Sequence, residues 1–502
     1  MPLFSDLALD ARIAARSLAD YVGGAGLRLG VTGLSRAGKT VFITALVEAL
    51  LQAGKLQAGK PQASGRRNPL PVFRVHAEGR LARAYLQPQP DDAVPRFAYE
   101  DHLAALTGGA DGAAARHWPE STRRISELRL TLEFERKGGW RSGPASLTLD
   151  IVDYPGEWLL DLPLLSKSYA QWSQETLEAS AAAARAPLAA DWRGYLQTID
   201  PAAPASEETA RKAADLFTAY LRASRAEKYA LSTLPPGRFL MPGDLEGSPA
   251  LTFAPLPGDG AAPSGSLAAM MERRYEAYKT HVVRPFFRDH FARLDRQIVL
   301  VDALSALNSG PAAVRDLETA MTDVLMAFRA GRSSLLSTLF RPRVDRILFA
   351  ATKADHLHHT SHDRLEGILR HLTARAITRA EGVGAEVDVI ALAAIRATRE
   401  ASVRQGRETL DAIVGTPLKG ETVGGEIFDG EQEVAIFPGT LPADPRTVFR
   451  GDALAVPEGE ADYRFVRFRP PTPQPDGAGG FNPLPHIRLD RALEFLFGDR
   501  LA

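Results

Sequence analysis

Short apolar runs alternate with longer amphipathic stretches through much of the chain. Residues 27–32 (LRLGVT) make a β-branched, apolar run that predicts a buried strand, and 41–51 (VFITALVEALL) predict a helix directly after it. Residues 126–135 (SELRLTLEFE) alternate polar and apolar, the period of a half-buried strand, and 145–152 (ASLTLDIV) repeat the pattern. Gly138, Gly139, Ser142, Gly143 and Pro144 lie between them, so the two predict an antiparallel hairpin. Residues 297–303 (QIVLVDA), 346–352 (RILFAAT) and 387–392 (VDVIAL) are continuous apolar runs, the signature of parallel strands covered on both faces. The stretches between them, 312–330 and 363–379, read as crossover helices.

From Trp158 the pattern changes. Residues 166–184, 207–227 and 268–291 predict helices, with a Gly- and Pro-dense loop over 234–265 and with Pro285 expected to bend or break the last helix. From about 404 to 485 Gly and Pro are frequent, and short strands are expected at 426–428, 433–437 and 463–468. Residues 487–497 (IRLDRALEFLF) form an amphipathic closing helix, and Leu7, Leu9, Ile13, Ala14, Leu18 and Tyr21 share one face of an N-terminal helix. Together these predict an α/β fold with a mixed sheet, assembled from 1–157 and 297–400 and closed by 486–502. A helical insertion (158–296) and a small β-rich unit (401–485) interrupt it.

A chain of 502 residues exceeds what one core usually holds, which agrees with several units. Lys and Arg (60) balance Asp and Glu (61), so no global charge argues for nucleic acid as a partner. The absence of cysteine removes disulfides, zinc–thiolate sites and thiol catalysis. It fits a reducing compartment. No apolar run approaches the roughly 18–20 residues of a membrane span, and the N-terminus lacks the apolar core of a signal peptide, so a cytoplasmic location is expected. Lys55, Lys60, Arg66 and Arg67 make 52–71 a basic, solvated loop. Arg332, Arg341, Arg343 and Arg346 around the apolar 335–340 leave open a weak peripheral contact with an anionic inner-membrane surface, against the plainer reading of a basic rim.

Candidate chemistry lies where the strands end. After the first strand, Gly33-Leu34-Ser35-Arg36-Ala37-Gly38-Lys39-Thr40 fits G-x-x-x-x-G-K-[ST] and opens a helix. Binding phosphate takes several inward backbone N–H groups, which Gly33 and Gly38 permit, and a helix N-terminus favours the anion. Ser35, Arg36, Ala37, Gly38, Lys39, Thr40 and Val41 are therefore candidates for phosphate binding, with Lys39 a charge on the β- and γ-phosphates and Thr40 a Mg²⁺ ligand. Asp153-Tyr154-Pro155-Gly156-Glu157 ends the second hairpin strand, where a nucleotide-bound Mg²⁺ needs a carboxylate (Asp153) and a γ-phosphate needs a backbone N–H (Gly156). Thr352-Lys353-Ala354-Asp355 ends a later strand. His356, His358, His359 and His362 follow it, with spacings that suit a metal but suit a polar loop more simply.

These motifs stand in the order of a Ras-like G domain. More narrowly, the sequence resembles the YcjX-type bacterial stress proteins, P-loop GTPases. The resemblance is carried by GLSRAGKT (33–40), WPESTRRISELRL (118–130), DYPGEWLLDLPLL (153–165), ATKADH (351–356) and ALAAIRAT (391–398). It implies a Ras-like P-loop NTPase fold, GTP or GDP with Mg²⁺, and an association with envelope stress. Mapped onto these residues, Asp355 takes the guanine N1–H and N2–H₂, and the Lys353 stem lies along the base. Thr352 stands where an asparagine is usual, which loosens the expected base selectivity. His356, Ala394 and Ile395 border the base, with the Ala394 N–H on O6. Thr122, with Ser121 as the alternative, supplies the switch hydroxyl to Mg²⁺ and γ-phosphate. Arg123 or Arg124 is a candidate charge stabiliser, although such an arginine ordinarily precedes the threonine.

Glu157 occupies the position of the water-orienting glutamine. A carboxylate only accepts hydrogen bonds and is repelled by a γ-phosphate, so it must turn away or take up a proton, and slow turnover is expected. A protein partner reading the nucleotide state would dock at the adjacent insertion. Two other functions compete: a small-molecule kinase of the P-loop type, which has no use for D-x-x-G followed by T-K-x-D, and a nucleotide-dependent scaffold of relaxed ATP or GTP specificity.

Overall fold

The computed structural model describes residues 25–34, 36–55, 68–109, 112–137, 142–226, 228–258, 262–290, 293–327, 344–382, 384–405, 408–423, 425–450, 463–476 and 480–502. The expected N-terminal helix, Ser35, Lys60, Arg66, Arg67, Arg332, Arg341 and Arg343 lie outside them.

Seven strands form one mixed sheet: β1 (Ala25–Gly33), β2 (Leu81–Gln87), β3 (Ser126–Arg136), β4 (Gly143–Asp153), β5 (Arg296–Val301), β6 (Arg346–Ala351) and β7 (Glu386–Ala391), in the order β2-β3-β4-β1-β5-β6-β7. The hairpin pairs β3 with β4 in an unbroken antiparallel register from Ser126 opposite Asp153 to Arg136 opposite Gly143. Strands β4, β1, β5, β6 and β7 run parallel. Their C-terminal ends therefore share one edge, where ligands bind in open α/β sheets.

The two faces of the sheet divide by side-chain alternation. Leu27, Leu29 and Val31 of β1, Leu128, Leu130 and Leu132 of β3, and Ile298 and Leu300 of β5 pack against two helices, α1 (Lys39–Lys55) and α7 (Leu489–Phe497). Val152, Val299, Val301, Phe349 and Ala351 point to the other face and meet the helical stretch between β4 and β5. That stretch includes α2 (Tyr169–Ala181), α3 (Glu207–Ser224) and α4 (Leu267–Tyr278), joined around Trp172, Phe217, Phe253 and Tyr275. On the C-terminal side, α5 (Pro311–Ala327) and α6 (His362–Leu372) cross between parallel strands.

Three expected elements differ. The expected helix over 268–291 is divided ahead of Pro285: α4 ends at Tyr278, a π turn, Lys279–Val283, follows, and a short helix, Arg284–Asp289, carries the proline. The expected helix over 363–379 is interrupted at Thr373, between α6 and Ala374–Gly382. Residues 463–468 do not form a strand. Leu418 N and Arg469 N bond to the Arg467 and Thr416 carbonyls at 2.8 Å, but Pro417 between them has no N–H to continue a ladder. The β-rich part consists of β8 (Arg399–Gln405), β9 (Glu408–Gly415), a short pair β10 (Thr422–Val423) and β11 (Glu426–Ile427), and β12 (Val434–Ile436), with β12-β9-β8 making a three-stranded sheet. No helix among the described residues is long and apolar enough to cross a membrane. Arg346, the described member of the basic group, donates to the Phe495 carbonyl at 2.5 Å and pairs with Glu386 at 2.9 Å.

Candidate functional site

A cleft of about 370 Å³ opens at the C-terminal edge of the parallel strands, within the range of small-molecule sites. Arg36, Ala37, Gly38, Lys39, Thr40 and Val41 form its floor. Gly38 has φ +82, and Arg36, at φ +63, also takes the left-handed conformation. Lys39 is buried, and its Nζ donates to the Gly33 carbonyl at 3.0 Å. The loop is thus wrapped around its own lysine. A Cβ on Gly156 would stand 1.9 Å from the Gly33 oxygen and 3.0 Å from Lys39 Nζ, so only glycine lets residue 156 lie this close to the loop.

Beside Lys39 the structure brings together Thr40, Thr122 and Asp153, three residues spread over 114 positions. Thr122 Oγ1 donates to Asp153 Oδ2 at 2.6 Å and lies 3.1 Å from Thr40 Oγ1. Asp153 Oδ1 is buried without a hydrogen-bond partner. A buried carboxylate oxygen left unpartnered next to two hydroxyls is a donor set that fits Mg²⁺, a hard cation taking oxygen ligands. Burial pushes the Asp153 carboxyl up to about 6, against the pull of Lys39 and the Thr122 hydrogen bond.

This shift has a checkable sign. Between the ordinary carboxylate range and about pH 6, the folded metal-free protein binds more protons at this site than the unfolded chain, so the contribution of Asp153 to stability falls as pH rises through that window. We expect Asp153→Asn to gain stability over the parent on going from pH 5 to pH 8 without metal, by roughly 1.4 kcal/mol, the worth of the single pH unit between pH 5 and the raised carboxyl. The same variant should lose the tightening of nucleotide by Mg²⁺. Paired denaturant melts at the two pH values check the first part and affinity with and without Mg²⁺ the second; a stability difference independent of pH would contradict the assignment.

On the opposite wall, Asp355 is buried and its carboxylate faces the cleft, with Oδ2 accepting from Ala397 N at 2.8 Å. The Thr398 hydroxyl donates to the Asp355 carbonyl. Lys353, at φ +61, extends to Asp302 Oδ2 at 2.5 Å. The Thr352 N–H bonds to Val301 O at 3.0 Å and its hydroxyl donates to the same carbonyl at 3.4 Å. His356, Ala394 and Ile395 line the cleft, and burial lowers the His356 pKa.

Glu157 borders the cleft but points into the helical stretch, where its carboxylate forms an ion pair with Arg225 at the end of α3. The backbone there is tightly held as well: a Cβ on Gly237 would stand 1.7 Å from the Glu157 carbonyl oxygen. Asp161 accepts from Gly237 N and from the Tyr278 hydroxyl, both at 2.7 Å. Arg123 is not brought to the cleft: it is three-quarters exposed and pairs with Glu120 at 3.1 Å. Arg124 is exposed too. In this arrangement 123–124 run outward, away from the cleft.

Several lining residues carried no local sequence signal. Leu418, Arg467 and Phe468 of the β-rich part line the cleft on the side of Asp355 and His356, with Trp118 Nε1 donating to Phe468 O at 2.6 Å. Asp302 did carry one, since it follows an apolar strand just as Asp153 does.

A family model described as "YcjX-like family, DUF463" matches residues 27–501. A protein of Escherichia coli named "Ras-like GTPase YcjX" is 38% identical over 486 residues, covering 95% of this chain and 96% of that one. A protein of Shewanella oneidensis with the same name is 36% identical over 490 residues, covering 95% and 94%.

Proposed function

Because the chain belongs to the YcjX-like family, we propose that it is a Mg²⁺-dependent, guanine-nucleotide-binding and -hydrolysing protein of Ras-like type, a bacterial stress-response switch with slow intrinsic turnover. The observation that carries this is the convergence of Lys39, Thr40, Thr122 and Asp153 at one end of the cleft with Asp355 at the other. Phosphate and base sites at opposite ends of one cleft suit a nucleoside triphosphate.

In this reading the 36–41 backbone holds the phosphates, Lys39 neutralises the β- and γ-oxygens, and the Gly156 N–H marks the γ-phosphate. Thr40, Thr122 and Asp153 would hold Mg²⁺, directly or through water. Held by those residues, Mg²⁺ would supply positive charge against the negative charge that develops on the transferred phosphate. Asp355 offers two acceptors to the guanine N1–H and N2–H₂, and adenine presents no such pair. Leu418 and Phe468 shield the base from water. The stress-response role rests on the family resemblance, and a partner reading the nucleotide state would dock on the helical stretch behind Glu157.

Turnover should be slow. Glu157 is committed to Arg225 and cannot donate to an attacking water, and Arg123 faces solvent. We expect single-turnover hydrolysis by the purified protein at roughly 10⁻⁴–10⁻¹ s⁻¹, from the unassisted Ras rate to a few hundred-fold above it. A rate of several per second without a partner would mean that the chain completes its own catalytic site.

A further inference from the structure

The four histidines after Asp355 do not act as one cluster. His356 is buried with its ring edge-on to Phe468, and His362 Nε2 bonds to the Ala354 carbonyl at 2.9 Å. Both are absorbed by packing. His358 and His359 turn the other way, toward a carboxylate from β8. His359 Nδ1 lies 2.8 Å from Glu400 Oε2, and His358 Nε2 lies 3.8 Å from the same oxygen. One ligand atom from each of the three falls within 4.8 Å of the others.

The His358 nitrogen facing away from this point is already occupied. His358 Nδ1 is 3.0 Å from Thr360 Oγ1 and 3.4 Å from Asp411 Oδ2 on β9, and the Thr360 hydroxyl donates to Asp411 at 3.1 Å. That chain of bonds favours the tautomer with its proton on Nδ1, which leaves the Nε2 lone pair directed at Glu400. Glu400 Oε1 faces Arg396 at 3.5 Å, so Oε2 is the oxygen turned to the histidines. A histidine that gives one nitrogen to an ion and the other N–H to a carboxylate-anchored partner is the usual arrangement at metal centres. The spacing also fits: two ligands each about 2.0–2.2 Å from a tetrahedral zinc ion lie about 3.4 Å apart, between the two distances found here. His358 is largely buried and Glu400 about a quarter exposed, whereas His359 is 64% exposed, which leaves a path for the ion and room for water in its remaining positions.

We infer that His358, His359 and Glu400, with Asp411 orienting His358, form a binding site for a divalent transition-metal ion of the zinc class. Two imidazoles and one carboxylate suit zinc, cobalt or nickel rather than magnesium or calcium. The site joins two segments that both bear on Asp355. His358 and His359 follow it within four residues, and Glu400 follows Ala397 and Thr398, which hold the Asp355 carboxylate and carbonyl. An ion there fastens the base-binding loop to β8. The site itself does not depend on the nucleotide reading.

The test uses the full-length, chelator-treated protein in excess Mg²⁺, which keeps the Asp153 site occupied. Zn²⁺ is titrated by calorimetry and Co²⁺ by its visible ligand-field absorption. Saturable binding of one ion per chain is expected, lost in His359→Ala and Glu400→Gln, and weakened about 10–100-fold in Asp411→Asn. His359 is exposed, so its variant keeps the fold, which circular dichroism verifies. Asp153→Asn should leave the Zn²⁺ isotherm unchanged. Absence of saturable binding, or an isotherm that survives both ligand substitutions, would overturn the site and reduce these residues to a surface histidine–carboxylate hydrogen bond. Neither outcome bears on nucleotide binding, which is measured separately.

Discussion

Lys39→Ala is expected to lower nucleotide affinity by about 10²–10⁴-fold while leaving the fold intact. Two losses combine. The first is the charge contact itself: removing one partner of a buried, hydrogen-bonded charge pair typically costs about 2–5 kcal/mol. The second acts through Asp153. The Lys39 charge is the largest influence holding the Asp153 carboxyl down against burial, so without it the metal ligand is protonated over a wider pH range. Nucleotide therefore loses its cation and part of its Mg²⁺ site together. The fold should persist, because the neighbours that anchor β1 and α1, such as Leu29, Val31, Ile43 and Leu46, make their contacts without Lys39. Fluorescent-nucleotide titration with a circular dichroism melt checks this. An affinity within a few-fold of the parent, in a variant that melts normally, would remove the loop from the account.

Asp355→Asn should exchange base identity. Ala397 N donates to Oδ2, and this bond orients the substituted amide: its oxygen must stay on Ala397, which turns its NH₂ toward the cleft. Guanine then meets a donor where it offers donors itself. Xanthine, with a carbonyl in place of the 2-amino group, meets its complement. A site built around such hydrogen bonds discriminates strongly, so we expect the preference for guanosine over xanthosine nucleotides to fall on the order of 10³-fold or to invert. Competition titrations with GDP and XDP measure it. A variant that prefers guanine by the original margin would show that Asp355 does not read the base.

The parts of the site legible in the sequence share one property. Lys39, Asp153 and Asp355 each follow an apolar strand run directly, so strand period and motif locate each other. Asp302 follows the same rule and could have been found by it. Contacts between distant segments had no such marker. Arg225 reaches Glu157 across 68 positions from the end of an amphipathic helix, where an arginine ordinarily faces solvent. Leu418 lies in irregular chain beside Pro417, and Phe468 ends a stretch, 463–468, whose pattern predicts a strand that does not form, so neither marked itself as a wall of the cleft. β2 has little period of its own: only Leu81 in LARAYLQ is fully buried, and as an edge strand it is specified by pairing with β3 more than by its own composition. The metal candidate was half legible. The sequence shows four histidines within seven positions, but which two turn outward depends on Glu400 and Asp411, supplied by β8 and β9.

We propose that the cleft is a guanine-nucleotide site in which phosphate and base are read at opposite ends. Equilibrium titration of the unmodified protein with GDP, ADP and a non-hydrolysable GTP analogue, with and without Mg²⁺, tests it most directly. Saturable binding of GDP and the GTP analogue is predicted, tightened by Mg²⁺ for the analogue, with ADP at least about 100-fold weaker because Asp355 finds no donor pair on adenine. Equal binding of ADP and GDP would contradict the account.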